Sequence, residues 1–156
     1  MKSENFRLII KKEGNIKSRQ WWTKKTSKIV CTAAKYLPKT KRLLIQQSEF
    51  SIVITNNKEI KSLNNRYRKM NRPTDVLSFP LNKSEQKKNR YLGDIIISTK
   101  AALENAKKNK INLETEILML LIHGYLHLLG YKHKIRKDAK VMFSLQNKIL
   151  TEVTFY

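Results

Sequence analysis

The chain reads as a single α+β or mixed α/β domain spanning residues 1–156. Three observations predict this. Apolar patterning alternates between strand-like and helical periods in the order β-α-β-α-β-β-α-α-α, which gives about five helices around a small sheet. No linker rich in Pro, Gly or Ser divides the sequence, in which only 4 Gly and 3 Pro occur. A length of 156 residues, 40% of them hydrophobic, suits one substantial core and is too apolar for a disordered basic tail.

The elements follow in order. Phe6 to Ile10 is a short β-type run. Lys17 to Tyr36 is expected to be helical, because Trp22, Ile29, Val30, Ala33 and Leu37 recur at helical spacing before Pro38. Phe50 to Thr55 is β-branched and alternating, hence a strand. A helix from Asn56-Asn57 to about Arg68 carries Ile60, Leu63 and Tyr67 on one face. Val76 to Phe79 is a short extended segment closed by Pro80. Lys83 to Arg90 has no apolar residue and is expected to be a mobile loop. Ile95 to Ile97 is a buried-type strand, and Ser98 or Thr99 caps a helix reaching Asn109. Asn112 caps the next helix, with Glu114 and Glu116 placed to complement its dipole. That helix runs through Leu129 to Gly130, a suitable residue just past its C-terminus. The last helix covers about Asp138 to Leu150, with Met142, Phe143, Gln146, Ile149 and Leu150 at core spacing.

No apolar run near Met1 resembles a secretory leader, and the longest one, Ile117 to Leu129, is too short to span a bilayer. The single cysteine, Cys31, excludes an intrachain disulfide. A soluble, cytoplasmic protein without a membrane partner is the expectation. The 33 Lys+Arg against 12 Asp+Glu give a formal net charge of +21. Such an excess suits a polyanion. It also suits compositional drift, since 25 of the 33 bases are lysine.

The three histidines of the chain, His123, His127 and His133, all fall within 11 residues. His123 and His127 are four apart on one helix, so their imidazoles share a face one turn apart. Gly130 then ends the helix and lets the chain bring His133 back to the same point. Three imidazoles with one position left open form the pattern of a catalytic zinc, whereas structural sites fill all four positions. No Lys or Arg occurs from Ile111 to Tyr131, as both a cation site and a buried helix require. The spacing H-x-x-x-H-x-x-G-x-x-H also matches the metzincin peptidases, which place a glutamate after the first histidine as general base. Gly124 stands there, so peptide hydrolysis lacks its proton acceptor.

The run His123-Gly124-Tyr125-Leu126-His127-Leu128-Leu129-Gly130-Tyr131-Lys132-His133 resembles the signature of the YbeY family of bacterial endoribonucleases. Leu63-Asn64-Asn65-Arg66-Tyr67-Arg68 with Arg72-Pro73-Thr74-Asp75-Val76-Leu77-Ser78-Phe79-Pro80 resembles its second hallmark. Leu92-Gly93-Asp94-Ile95-Ile96-Ile97-Ser98 resembles the third, and Met142-Phe143-Ser144-Leu145-Gln146 is also similar. The resemblance implies an α+β fold with a small mixed sheet, and a metal site on the penultimate helix and the loop after it. It implies one Zn2+ held by His123, His127 and His133, and single-strand-directed RNA cleavage in 16S rRNA 3′-end maturation and ribosome quality control. Ribosomal partners follow from the same source, as does a functional role for Arg68, which would neutralise charge on the phosphoryl group. Two positions depart from the family pattern: Lys132 and Asn71 stand where aspartate is usual or frequent. A carboxylate beside a ligand tunes a metal, so these changes bear on tuning and leave the three ligands in place.

Asp75 and Asp94 lie at strand edges, where each either orients a histidine or caps a turn. Asp94 is also a candidate to close the fourth metal position. That outcome would favour a second reading, a ribosome-associated RNA-binding factor with structural zinc and no cleavage of its own. A metallopeptidase is the third reading.

Overall fold

A computed structural model describes residues 5–11 and 16–155 of the chain. Residues 1–4, where the absence of a leader was inferred, lie outside them. The strands are β1 (Arg7–Ile10), β2 (Glu49–Thr55), β3 (Val76–Pro80) and β4 (Tyr91–Ser98). The helices are α1 (Arg19–Tyr36), α2 (Lys39–Gln47), α3 (Asn57–Arg68), α4 (Lys83–Asn89), α5 (Thr99–Asn109), α6 (Leu113–Leu128) and α7 (Arg136–Phe155). They form one domain around a four-stranded mixed sheet of order β1-β2-β4-β3. The β1-β2 and β2-β4 pairs are parallel, and β3 runs antiparallel to β4. None of the described helices is long and apolar enough to cross a membrane.

The apolar pattern of α6 explains the centre of the fold. Residues Ile117, Leu118, Leu120, Leu121, Ile122, Tyr125, Leu126 and Leu128 point in several directions around the helix, and all are buried. A helix apolar on nearly every side must be enclosed. Here the sheet covers one side, while α1, α5 and α7 pack around the rest. Ile95 and Ile97 of β4 join the α6 side of the core. Leu77 and Ile96 face the other way, onto Ile60 of α3.

Among the described residues, seven helices replace the five expected. The segment expected to be a mobile loop folds as α4, whose Asn82 and Glu85 close a capping box on each other's backbone. Its only buried residue is Gln86, whose amide donates to the carbonyls of Leu92 (3.0 Å) and Leu128 (2.8 Å). A polar anchor in place of an apolar one hid this helix from a reading of hydrophobic period. The second added helix, α2, buries Ile45 alone. Glu114 sits at the start of α6 as expected and pairs with Lys25 at 2.9 Å. Glu116 lies in the first turn as well. It is buried, accepts a hydrogen bond from Asn105 (3.3 Å), and burial raises its pKa. β4 and α7 extend beyond their expected limits at both ends.

Replacing Gln86 by leucine keeps the volume but leaves the buried Leu128 carbonyl without a donor, while the Leu92 carbonyl keeps only the Leu81 N–H. We expect Gln86→Leu to lower unfolding free energy by about 1–3 kcal/mol in urea titrations. An unchanged midpoint would mean that the amide does not anchor α4.

Candidate metal centre

His123 and His127 project from the last two turns of α6, where the helix meets solvent at its C-terminal end. Their partly buried rings lie edge to face with centroids 4.6 Å apart. The helix stops at Leu129, and Gly130 adopts a φ of 87°, which a residue with a side chain rarely holds. Tyr131 closes the turn by donating its N–H to the Leu126 carbonyl at 3.1 Å. The returning chain carries His133 to within 5.2 Å of the His123 ring and 5.0 Å of the His127 ring, centroid to centroid. One ring nitrogen from each histidine then lies within 4.8 Å of the other two.

Hydrogen bonds at the far side of the His123 and His127 rings set their tautomers. Nδ1 of His123 is 2.9 Å from Oε1 of buried Gln146 on α7, and Nδ1 of His127 is 2.9 Å from the Tyr131 carbonyl. Both partners accept, so both Nδ1 atoms carry the proton and both Nε2 atoms present lone pairs. Those two Nε2 atoms face each other at 3.0 Å. Two lone pairs so close repel unless a cation lies between them. Nitrogens sharing a tetrahedral zinc at about 2.0–2.1 Å sit roughly 3.3 Å apart, so the pair is close to the spacing an ion requires. Burial first, then the neighbouring imidazoles and the Arg68 guanidinium, push His127 down to about 4 against the raising effect of the Tyr131 carbonyl. His123 is lowered as well, chiefly by burial. Both rings are therefore neutral ligands near pH 7. The trio could hold a metal ion, though imidazole suits zinc, copper, iron and nickel alike.

Among the described residues no Asp, Glu or Cys joins the three histidines. Asp94 instead accepts from the Tyr91 hydroxyl at 2.5 Å. Asp75 accepts from the backbone of Val76 (2.8 Å) and from Asn105 (2.9 Å). Neither orients a histidine; that task belongs to Gln146 and the Tyr131 carbonyl, so Lys132 displaces no partner of His123 or His127. Arg68 is exposed in the last turn of α3, close enough for its charge to act on His127. Arg66, Lys69, Arg72, Lys132, Lys134, Arg136 and Lys137 are likewise exposed, and none of them forms an ion pair among the described residues.

Sequence reasoning placed Phe143 in the core, but it is 42% exposed and stacks over His133 (5.8 Å) and His123 (6.3 Å). Its phase on α7, one turn before Gln146, was the signal available. Gly124 is buried against the sheet: a Cβ there would lie 2.8 Å from Ile95 Cγ2 and 3.1 Å from Ser78 Oγ. The missing glutamate of the peptidase pattern therefore has no room. Ser78 serves this helix–strand contact, its hydroxyl 3.4 Å from the Gly124 carbonyl.

Two outcomes follow. Gly124→Glu forces a carboxylate between helix and sheet and should cost about 3 kcal/mol or more, without conferring peptidase activity. A stable variant that cleaves peptide would refute this account of the position. In the metal-free chain, unfolded His127 titrates near its ordinary value of about 6.5, while the folded residue titrates at about 4. The unfolded state binds more protons between those values, so stability present above about 6.5 is lost as pH falls through that window. Urea midpoints taken across it should drop more for the parent than for His127→Gln.

Comparison with known proteins accords with this geometry. The sequence profile described as Endoribonuclease YbeY matches residues 9–154. An endoribonuclease YbeY of Sulfurihydrogenibium is 45% identical over 113 residues, covering 72% of this chain and 74% of its own. One of Buchnera aphidicola is 35% identical over 151 residues, covering 97% and 90%. A solution structure from Thermotoga maritima superposes with a TM-score of 0.64 at 30% identity, covering 94% of this chain and 89% of that one. A match that runs through strands, histidine helix and final helix alike leaves one assignment: the chain belongs to the YbeY family of endoribonucleases.

Proposed function

We propose that this endoribonuclease is zinc-dependent and single-strand-specific, and that it acts in the cytoplasm in 16S rRNA 3′-end maturation and ribosome quality control, in contact with the ribosome or its proteins. Residues 1–156 form one such catalytic domain. The observation that carries this reading is the pair of imidazole lone pairs facing each other at 3.0 Å beside an exposed third histidine, with exposed lysines and arginines on both flanks that form no ion pair among the described residues.

His123, His127 and His133 would hold the zinc, which when bound would supply Lewis acidity toward a phosphoryl oxygen and lower the pKa of water. The chain's own residues do the rest. Gln146 and the Tyr131 carbonyl hold the first two imidazoles in the tautomer that directs Nε2 inward. Arg68 offers its planar fork of N–H donors to the scissile phosphate and offsets the charge that develops there. The exposed bases of α3, its following loop and the start of α7 draw the RNA backbone toward the trio. With no room for a side chain at Gly124, α6 contributes no carboxylate base, which sets this chemistry apart from peptide hydrolysis. The lack of an in-chain carboxylate at the trio, among the described residues, supports a catalytic over a structural ion.

The test combines metal analysis with cleavage of single-stranded RNA. Purified protein should carry about one zinc per chain, as a site with a single set of ligands requires. Cleavage should stop on chelation and in His127→Ala, and a peptide substrate should stay intact. Arg68→Ala should lower kcat by about 10²–10³, the range for losing a donor to transition-state charge. Chelator-resistant cleavage would overturn the zinc mechanism, and a parental rate in Arg68→Ala would remove that residue's role.

A further inference from the structure

Tyr67 shares a helix face with buried Ile60 and half-buried Leu63, yet it is 56% exposed. Its ring stands nearly edge-on to Phe79, with centroids 5.1 Å apart and planes at 62°. The Arg66 guanidinium lies over the ring, 5.4 Å from its centre. The support beneath is fixed. Lys69 ends α3 in the left-handed region at φ 60°, and buried Asn64 donates from its side chain to the Arg72 carbonyl at 2.8 Å. The Met70 N–H donates back to the Asn64 carbonyl at 3.3 Å.

An exposed aromatic ring by itself needs no explanation. This one differs in three respects: it is braced by a second ring, it already carries a planar cation on one face, and it precedes the arginine whose charge reaches His127. Unpaired bases of RNA bind such places, because each presents a π-face and carries a phosphate beside it. We propose that Tyr67, braced by Phe79 and covered by Arg66, is a stacking subsite for one nucleobase of single-stranded RNA, next to the phosphate that Arg68 contacts. The base enters between the phenol ring and the guanidinium, which then stacks on its far face. A base within a duplex has no free face to offer, so the subsite selects single strands. This inference rests on the endoribonuclease reading above.

The experiment measures equilibrium binding of the full chain, with chelator present to prevent cleavage, to single-stranded oligoribonucleotides. One oligonucleotide is intact and the others each carry one abasic nucleotide. For the parent, one abasic position should weaken binding roughly 5- to 100-fold, the worth of one stacked base. Tyr67→Ala and Tyr67→Leu should bind intact RNA that much more weakly and lose the difference between intact and abasic RNA, while Tyr67→Trp keeps it. Leucine preserves an apolar contact with Phe79 without a stacking face, so agreement between the two losses separates stacking from damage to the fold. The slope of log affinity against log salt should stay parental in Tyr67→Leu and fall by about 1 in Arg68→Ala, which removes a phosphate contact. Parental discrimination in Tyr67→Leu, with steep salt dependence intact, overturns the subsite and leaves the RNA reading standing. A parent that binds no single-stranded RNA overturns both.

Discussion

Close packing of α6 against the sheet is the constraint on which the rest of the structure depends. Gly124 lets the helix axis approach β3 and β4 until Ile95 and Ser78 fill the space a Cβ would occupy. At that distance the apolar residues of α6 are buried on the sheet side, and α1, α5 and α7 close over the others. The helix is then held along most of its length, with its first turn and the histidine side of its C-terminal end partly open to solvent. The histidines lie at that end. A ligand set needs ring positions defined to a fraction of an ångström, and a helix clamped between layers provides them at no further entropic cost.

Electrostatics follow from the same packing. A buried helix excludes lysine and arginine, so the centre of the molecule is free of the bases that dominate its surface. The excess emerges where α6 ends, on the chain that returns from Gly130 and on the last turn of α3. Burial keeps the imidazoles of His123 and His127 neutral, the nearby guanidinium adds to that effect at His127, and the flanks remain unneutralised by carboxylates among the described residues. Neutral imidazoles inside a cationic rim suit a polyanionic substrate: attraction acts at long range without protonating the groups that could bind a metal.

The histidine trio was legible in the sequence because its geometry is local. Two residues four apart on a helix, a glycine that permits positive φ, and a third histidine soon after fix one another without reference to distant parts of the fold. What escaped was long-range or carried by the backbone. Gln146 reaches His123 across 23 residues, and the partner of His127 is a main-chain carbonyl that no residue type announces. Tyr67 has the right apolar phase yet remains exposed because it lies in the last turn of α3, and Phe143 remains exposed because it flanks the buried stripe of Met142, Leu145, Gln146 and Ile149 on α7. Helices α2 and α4 were invisible to hydrophobic period, since one buries a single isoleucine and the other a glutamine. The order of strands in the sheet, with β4 inserted between β2 and β3, could not be read from local pattern.

The two inner histidines differ in how their partners are obtained. His127 finds its acceptor four residues away, inside the turn that Gly130 makes, so its orientation is complete once that turn forms. His123 depends on α7, which must dock along α6 before Gln146 can hold it. Were an ion bound by the trio, its affinity and the docking of α7 would be linked, each contributing to the free energy of the other by the same amount. An ion in the site would act as a latch on the end of the chain, and any partner that lifts α7 would loosen the latch in equal measure.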